Sequence, residues 1–301
     1  MDIYSESGRI KSLEKRFLTY QQIQKLIEVK SLTEFVALTE KSFYKLPSNV
    51  SSAEEVSEFF NREREIFYRE VEKYAPSLLK IFLLKNDFFN LKLIAEGKEN
   101  FVYPGNLPGQ ILKRSVEERK IELPDFLKNG VEIVKGKKDI EEKLLNLKNE
   151  YYTWLYNTLN SYHSEFIERY GKIEIDFANL STYILKKRKD EKIIISFLIK
   201  GGNIKREKFL HQENLFKSFK SEYKIIKIPV DEENFEIERY KVIMNYLKKG
   251  RIIPYGIETI FSYFVAREIE LDSIHRLFTG KFYNVETEIL KKWAIPPYQW
   301  E

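Results

Sequence analysis

The chain has 301 residues, with 51 lysines and arginines against 46 acids for a net charge of +5, 43% hydrophobic and 32% charged residues, and no cysteine. That length can bury a sizeable core, and a mean hydropathy of −0.44 belongs to a soluble globular chain, not to a disordered or membrane-spanning one. Without cysteine there is no disulfide framework, thiol nucleophile or thiolate metal site, and the expected compartment is cytosolic.

Glycine (12) and proline (9) make up about 7% of the chain, against about 12% in ordinary proteins, and this shortage of breakers leans helical. The opening MDIYSESGRIKSLEKR carries Asp2 and no apolar stretch, so it does not read as a secretory signal. Ile10, Leu13, Phe17 and Tyr20 then follow at three- and four-residue spacing, the stripe that one helix face buries. A break is expected at 46–52, where Pro47, Ser48 and Asn49 cluster, before a second stripe of Val56, Phe59, Phe60, Phe67, Val71 and Tyr74. Further breaks are expected at 103–109 and 130–136, on their glycines and prolines. A third stripe runs Leu155, Leu159, Tyr162, Phe166, Tyr170. The run from Ile193 to Ile199 is the longest apolar one and far shorter than the roughly 20 residues of a spanning helix; with Ile225–Val230 it is one of two candidate strands. Breaks at 201–203, Pro229 and Pro254 precede the last stripe, Ile257, Ile260, Phe261, Phe264, Val265, Leu271, Ile274 and Phe278.

The basic runs at 135–138 (KGKK) and 186–189 (KKRK) are each bounded by acids. They read as solvated turns or helix ends, since nucleic-acid binders gather their charge on one face.

An internal repeat organises these elements. Residues 86–98 read NDFFNLKLIAEGK, 175–187 read IDFANLSTYILKK and 269–281 read IELDSIHRLFTGK. Aligned without gaps, they put Asp87, Asp176 and Glu270 in one column, Asn90, Asn179 and Ser273 three positions on, and Leu91, Leu180 and Ile274 next. A Gly-Lys ending recurs at Gly97-Lys98 and Gly280-Lys281 and becomes Lys186-Lys187 in the middle copy. A second marker follows each copy: Gly105-Asn106-Leu107, Gly202-Asn203-Ile204, and Asn284-Val285 without the glycine. Two markers in the same order predict an all-α chain of three tandem, similar helical units, 1–105, 106–202 and 203–301, longer than the repeats of common helical solenoids.

Acid, Asn and Leu at i, i+3 and i+4 share one helix face. One reading is a carboxylate–amide site used three times. The other, preferred because buried polar groups are usually satisfied, is that acid and amide hold backbone or a neighbouring helix while the leucine enters the core. Other chemistry is absent from the sequence patterns. No Gly-Lys pair has the Gly and Ser/Thr spacing of a phosphate loop, and His163, His211 and His275 fall in no zinc-ligand spacing. No catalytic, cofactor-binding or metal-ligating residue is therefore assigned. Tyr255, Tyr263, Trp293 and Trp300 are either interface anchors or ordinary packing residues.

Asp87-Phe-Phe-Asn90-Leu-Lys92, Pro254-Tyr-Gly256-Ile-Glu258 through Tyr263, Ala266, Glu268, Glu270 and Gly280-Lys281, together with Gly8 to Arg16 and Leu198 to Asn203, resemble the C subunit of V/A-type rotary ATPases, called the d subunit in eukaryotes. Ser181, Lys186 and Thr259 depart from that family's pattern. The resemblance implies a funnel of three helical units about a pseudo-threefold axis, with no cofactor and no catalysis. It also implies partners: the axle subunits D and F at the funnel mouth and the cytoplasmic loops of the membrane rotor ring on the opposite face. The chain would then be a central-stalk rotor subunit, peripheral on the cytoplasmic face, carrying torque between ATP chemistry and proton or sodium transport, with no nucleic acid and no direct lipid anchor. A helical nucleic-acid binder and an uncharacterised helical enzyme are the rival readings.

Overall fold

The computed structural model describes residues 3–40, 42–47, 49–98, 104–118, 121–186, 195–225, 232–295 and 297–298. Among them there are helices and connecting turns and no strand. Residues 195–197 of the first candidate strand form a helical turn, while 193–194 and 226–230 lie outside the described residues. The chain divides into two compact units, Pro76–Glu232 and Met1–Ala75 with Glu233–Glu301.

In Pro76–Glu232 the helices are α5 (Pro76–Ala95), α6 (Gly109–Glu117), α7 (Asp125–Lys135), α8 (Ile140–Asn160), α9 (Glu165–Lys186) and α10 (Gln212–Tyr223), with a 3-10 helix at Arg206–Leu210. α5 buries half of its residues, among them Leu78, Phe82, Leu84, Asp87, Phe88, Asn90 and Leu91, and leaves Lys80 and Lys92 exposed. Phe88 and Leu91 pack with Leu112 of α6, Leu127, Val131 and Val134 of α7 and Leu147 of α8. Gly130 lies inside α7, where the sequence predicts a break. A Cβ there would come within 2.8 Å of Leu91 Cδ1, so this glycine serves close helix packing and does not stop the helix.

The stripe from Leu155 to Tyr170 is not one helix either. α8 ends at Asn160, His163 adopts a left-handed φ of 51°, and Ser164 Oγ accepts from Ile167 N–H to open α9. Periodicity passes through this turn because four residues is close to one helical turn.

The other unit holds α1 (Ile3–Leu13), α2 (Tyr20–Glu28), α3 (Leu32–Thr39), α4 (Ala53–Tyr74), α11 (Glu232–Leu247), α12 (Ile257–Phe282) and α13 (Thr287–Trp293), with 3-10 turns at Glu14–Arg16 and Lys248–Arg251. α12 is its central helix, buried almost without interruption from Thr259 to Leu271. Arg64 and Glu70 of α4 pair with Asp272 and Arg267 of α12. The expected helix through Ile10, Leu13, Phe17 and Tyr20 is broken at 17–19. Thr19 caps α2 in a capping box: Gln22 N–H donates to Thr19 Oγ1 (3.2 Å) and Thr19 N–H to Gln22 Oε1 (2.8 Å).

Gly97-Lys98 and Gly280-Lys281 do not do the same job. Gly97 has φ 73° and Lys98 N–H donates to Leu93 O (2.9 Å), a Schellman end to α5. In α12 the same closure falls four residues later, with Asn284 at φ 53° and Val285 N–H donating to Gly280 O (2.8 Å). Asn284-Val285 is thus a helix cap. Gly280 lies in the last turn of α12, where a Cβ would lie 2.4 Å from Leu290 Cδ2 of α13.

Candidate functional site

The three motif acids lie on α5, α9 and α12, the most buried helices of the chain. Asp87 accepts from Asn106 N–H (3.0 Å), Asn106 Nδ2 (2.6 Å) and Leu107 N–H (3.2 Å). Asp176 accepts from Asn203 N–H (2.9 Å), Ile204 N–H (3.1 Å) and the Tyr223 hydroxyl. In both copies the carboxylate holds the second marker of its own repeat.

Glu270 is different in sequence and alike in geometry. It accepts from Leu18 N–H (2.7 Å) and Tyr44 OH (3.1 Å). Its partner loop is therefore 17–19, at the other end of the chain, and not 284–285. The match extends to the next residue. Leu107, Ile204 and Leu18 each directly precede the N-cap of a helix, namely Pro108 of α6, Lys205 of the 3-10 helix and Thr19 of α2. Each carboxylate pins the chain one residue before a helix begins, using an N–H that no intrahelical bond would satisfy.

The second column is less uniform. Asn179 brackets one residue, donating from Nδ2 to Ile199 O (2.9 Å) and accepting Ile199 N–H at Oδ1 (2.7 Å). Asn90 is fully buried, and beside it Asn86 Nδ2 donates to Pro104 O (2.8 Å). Ser273 is buried but too short to bridge to a loop, and its Oγ has no hydrogen-bond partner among the described residues. Leu91, Leu180 and Ile274 enter the core.

Burial raises all three acids. Asp87 and Asp176 are pushed from the ordinary 3.8 up to about 6, with the loop hydrogen bonds pulling the other way. Glu270, enclosed more completely, is pushed from 4.5 up to about 8 against the pull of Leu18 and Tyr44. These shifts follow from burial, and the loop hydrogen bonds offset only part of it.

The marker glycines explain themselves. A Cβ on Gly105 would lie 2.1 Å from Asp87 Oδ1, and one on Gly202 2.0 Å from Asp176 Oδ1. Gly202→Ala is therefore expected to push the loop off its carboxylate and cost about 2 kcal/mol, on the scale of a lost buried hydrogen bond to a charged group. Urea unfolding measures it; an unchanged midpoint would mean that the loop yields freely.

Sequence reasoning missed Tyr44 and Tyr223, which nothing in a local pattern marks. It also missed the 17–19 loop, which the Thr19-x-x-Gln22 capping box does mark. Of the proposed aromatic anchors, Tyr263 is core, Tyr255 is exposed beside Tyr4 with rings 5.4 Å apart, Trp293 is half-buried, and Trp300 lies outside the described residues. His163 sits in a turn, His211 precedes α10, and His275 stacks on Phe60 with ring centroids 4.3 Å apart. Among the described residues no group of three or more His, Asp or Glu could hold a metal ion. No helix among them is long and apolar enough to cross a membrane.

The family model described as ATP synthase (C/AC39) subunit matches residues 7–292. The C subunit of the A-type ATP synthase of Thermococcus kodakarensis is 23% identical in an alignment spanning 96% of this chain and 89% of the relative. Proteins of the same description from Thermococcus gammatolerans (22%; 90% and 84%) and a Desulfurococcus species (23%; 96% and 89%) are similar to the chain over comparable spans. With a match that runs through all three motif helices and nearly from end to end, the chain belongs to the ATP synthase (C/AC39) subunit family.

Proposed function

We propose that this chain, a non-catalytic C subunit of an A/V-type ATP synthase, is the central-stalk piece that couples the axle subunits D and F to the membrane rotor ring. It would work as a peripheral protein on the cytoplasmic face. The observation that carries the reading is the family match over residues 7–292. The fasteners suit it physically: a part that transmits torque must not yield at its helix junctions, and a buried carboxylate bonded to two or more donors is a stiff junction. Three units with boundaries at 105/106 and 202/203 belong to the same proposal. The third motif borrows its pinned loop from residues 17–19, so the repeat closes on itself through the N-terminal segment.

Affinity purification of the tagged chain from its own membranes tests the reading. D, F and the ring protein are expected to come with it, and a chain that purifies without any of them contradicts it. Reversing several exposed charges on the axle-facing surface is expected to weaken D and F binding at low salt far more than at high salt, with little change in melting.

A further inference from the structure

In the unit formed by Met1–Ala75 and Glu233–Glu301, a pocket of about 400 Å³ is lined by Ile237 of α11, His275, Arg276 and Thr279 of α12, and Trp293 of α13. Three features bear on what it can hold. The Arg276 guanidinium has no carboxylate within ion-pair distance among the described residues; its neighbour is the Tyr240 ring, 5.4 Å from the centroid. Asp272, one turn earlier on the same helix, is taken by Arg64. The hydroxyl of Thr279 is enclosed yet has no hydrogen-bond partner among the described residues. The remaining walls, Ile237 and the Trp293 ring, are apolar, and His275 is committed to its stack on Phe60.

An uncompensated guanidinium and a donor hydroxyl one turn apart on the same helix face, bordered by an indole and an isoleucine, match one chemistry. The guanidinium fork takes a carboxylate with two parallel N–H···O bonds, the hydroxyl donates a third, and the apolar walls take a hydrocarbon group attached to that carboxylate. We propose that this pocket binds a carboxylate carried on an apolar body. Such a group is presented by the C-terminal residue of a polypeptide or by a free organic acid, and the probes below separate the two. His275, held neutral by burial and by nearby Arg64 with its pKa down to about 4, adds no charge of its own at neutral pH. The inference stands on the pocket alone and does not depend on the rotor assignment.

The test is titration of the full chain followed by NMR of the indole N–H groups, with the Trp293 peak assigned through Trp293→Phe. N-acetyl-phenylalanine, which mimics a chain terminus, octanoate, which mimics a free acid, and N-acetyl-phenylalaninamide, which lacks the charge, are compared. A saturable shift of the Trp293 peak at millimolar acid is expected, with the amide binding at least about tenfold more weakly, as loss of a charged hydrogen-bonded pair implies. Arg276→Met, which keeps the stem, is expected to erase the difference between acid and amide. Thr279→Val, which keeps the shape, is expected to weaken acid binding a few-fold, with melting of both variants close to the parent. The tighter of the two acids identifies the source. Equal binding of acid and amide, no saturable shift with either acid, or acid binding that survives Arg276→Met in a folded protein would overturn the proposal.

Discussion

Replacing Asp176 with alanine is expected to lower the unfolding free energy by about 3–5 kcal/mol, a large share of what a domain has to lose. The carboxylate accepts from Asn203 N–H, Ile204 N–H and the Tyr223 hydroxyl. All three would lose their acceptor at once, in a site that the alanine leaves partly empty. Tyr223 is also bound to Asn203 Nδ2 (3.0 Å), so the loss spreads to the end of α10. Asp176→Asn keeps the volume and one carbonyl oxygen, but its NH2 group faces donors, and about half the cost is expected. Urea unfolding of the pair distinguishes the two terms. An alanine variant no less stable than the asparagine one would mean that the hydrogen bonds count for little.

The second large effect is one of pH. Glu270 titrates at about 8 in the folded chain and at an ordinary 4.5 when unfolded. Between those values the folded state binds the extra proton, so stability falls as pH rises. Its favourable contribution is full below pH 4.5, declines from there to about 8, and changes no further above that. Asp87 and Asp176 act in the same sense over the narrower window from 3.8 to about 6. His275, lowered to about 4, acts in the opposite sense up to about pH 6.5, so the chain is expected to lose stability at fixed salt most clearly from pH 6.5 to 8, where the decline belongs mainly to Glu270. Glu270→Gln resembles the protonated acid: its oxygen accepts Leu18 N–H and its NH2 donates to Tyr44. This variant is expected to flatten the decline above pH 6.5 and to match the parent only near pH 4.5 and below, where Glu270 is protonated in both states. Thermal unfolding across that range checks it, and an unchanged slope in the variant would place the titrating group elsewhere.

The motif helices were legible because an acid, an amide and a leucine at i, i+3 and i+4 keep their spacing on any helix, and α5, α9 and α12 carry them as expected. The loop partners of the first two acids were visible as a second marker, 19 and 27 residues further on. The partner of the third was not, since Leu18 and Glu270 are 252 residues apart and no spacing encodes a contact that closes the chain upon itself. Asn284-Val285 resembled the missing marker because an Asn at a helix end takes the left-handed conformation that a turn also needs. Gly130 looked like a breaker for a related reason. Whether a glycine ends a helix or admits a neighbour depends here on Leu91, which sits elsewhere in the sequence. The turn at 161–164 was hidden by a length that keeps the apolar stripe in phase.

Amide hydrogen exchange at Leu107, Ile204 and Leu18 tests the central claim, that the repeated acid is an internal fastener, most directly. All three residues lie in connections, just before a helix N-cap, where an amide ordinarily exchanges within the rapid fraction. If the carboxylates of Asp87, Asp176 and Glu270 hold them as the structure has it, the three amides are expected to be protected nearly as well as those of α5 and α12, and Asp176→Ala is expected to release Ile204. Exchange of all three at the rate of an exposed loop in the parent chain would contradict the account.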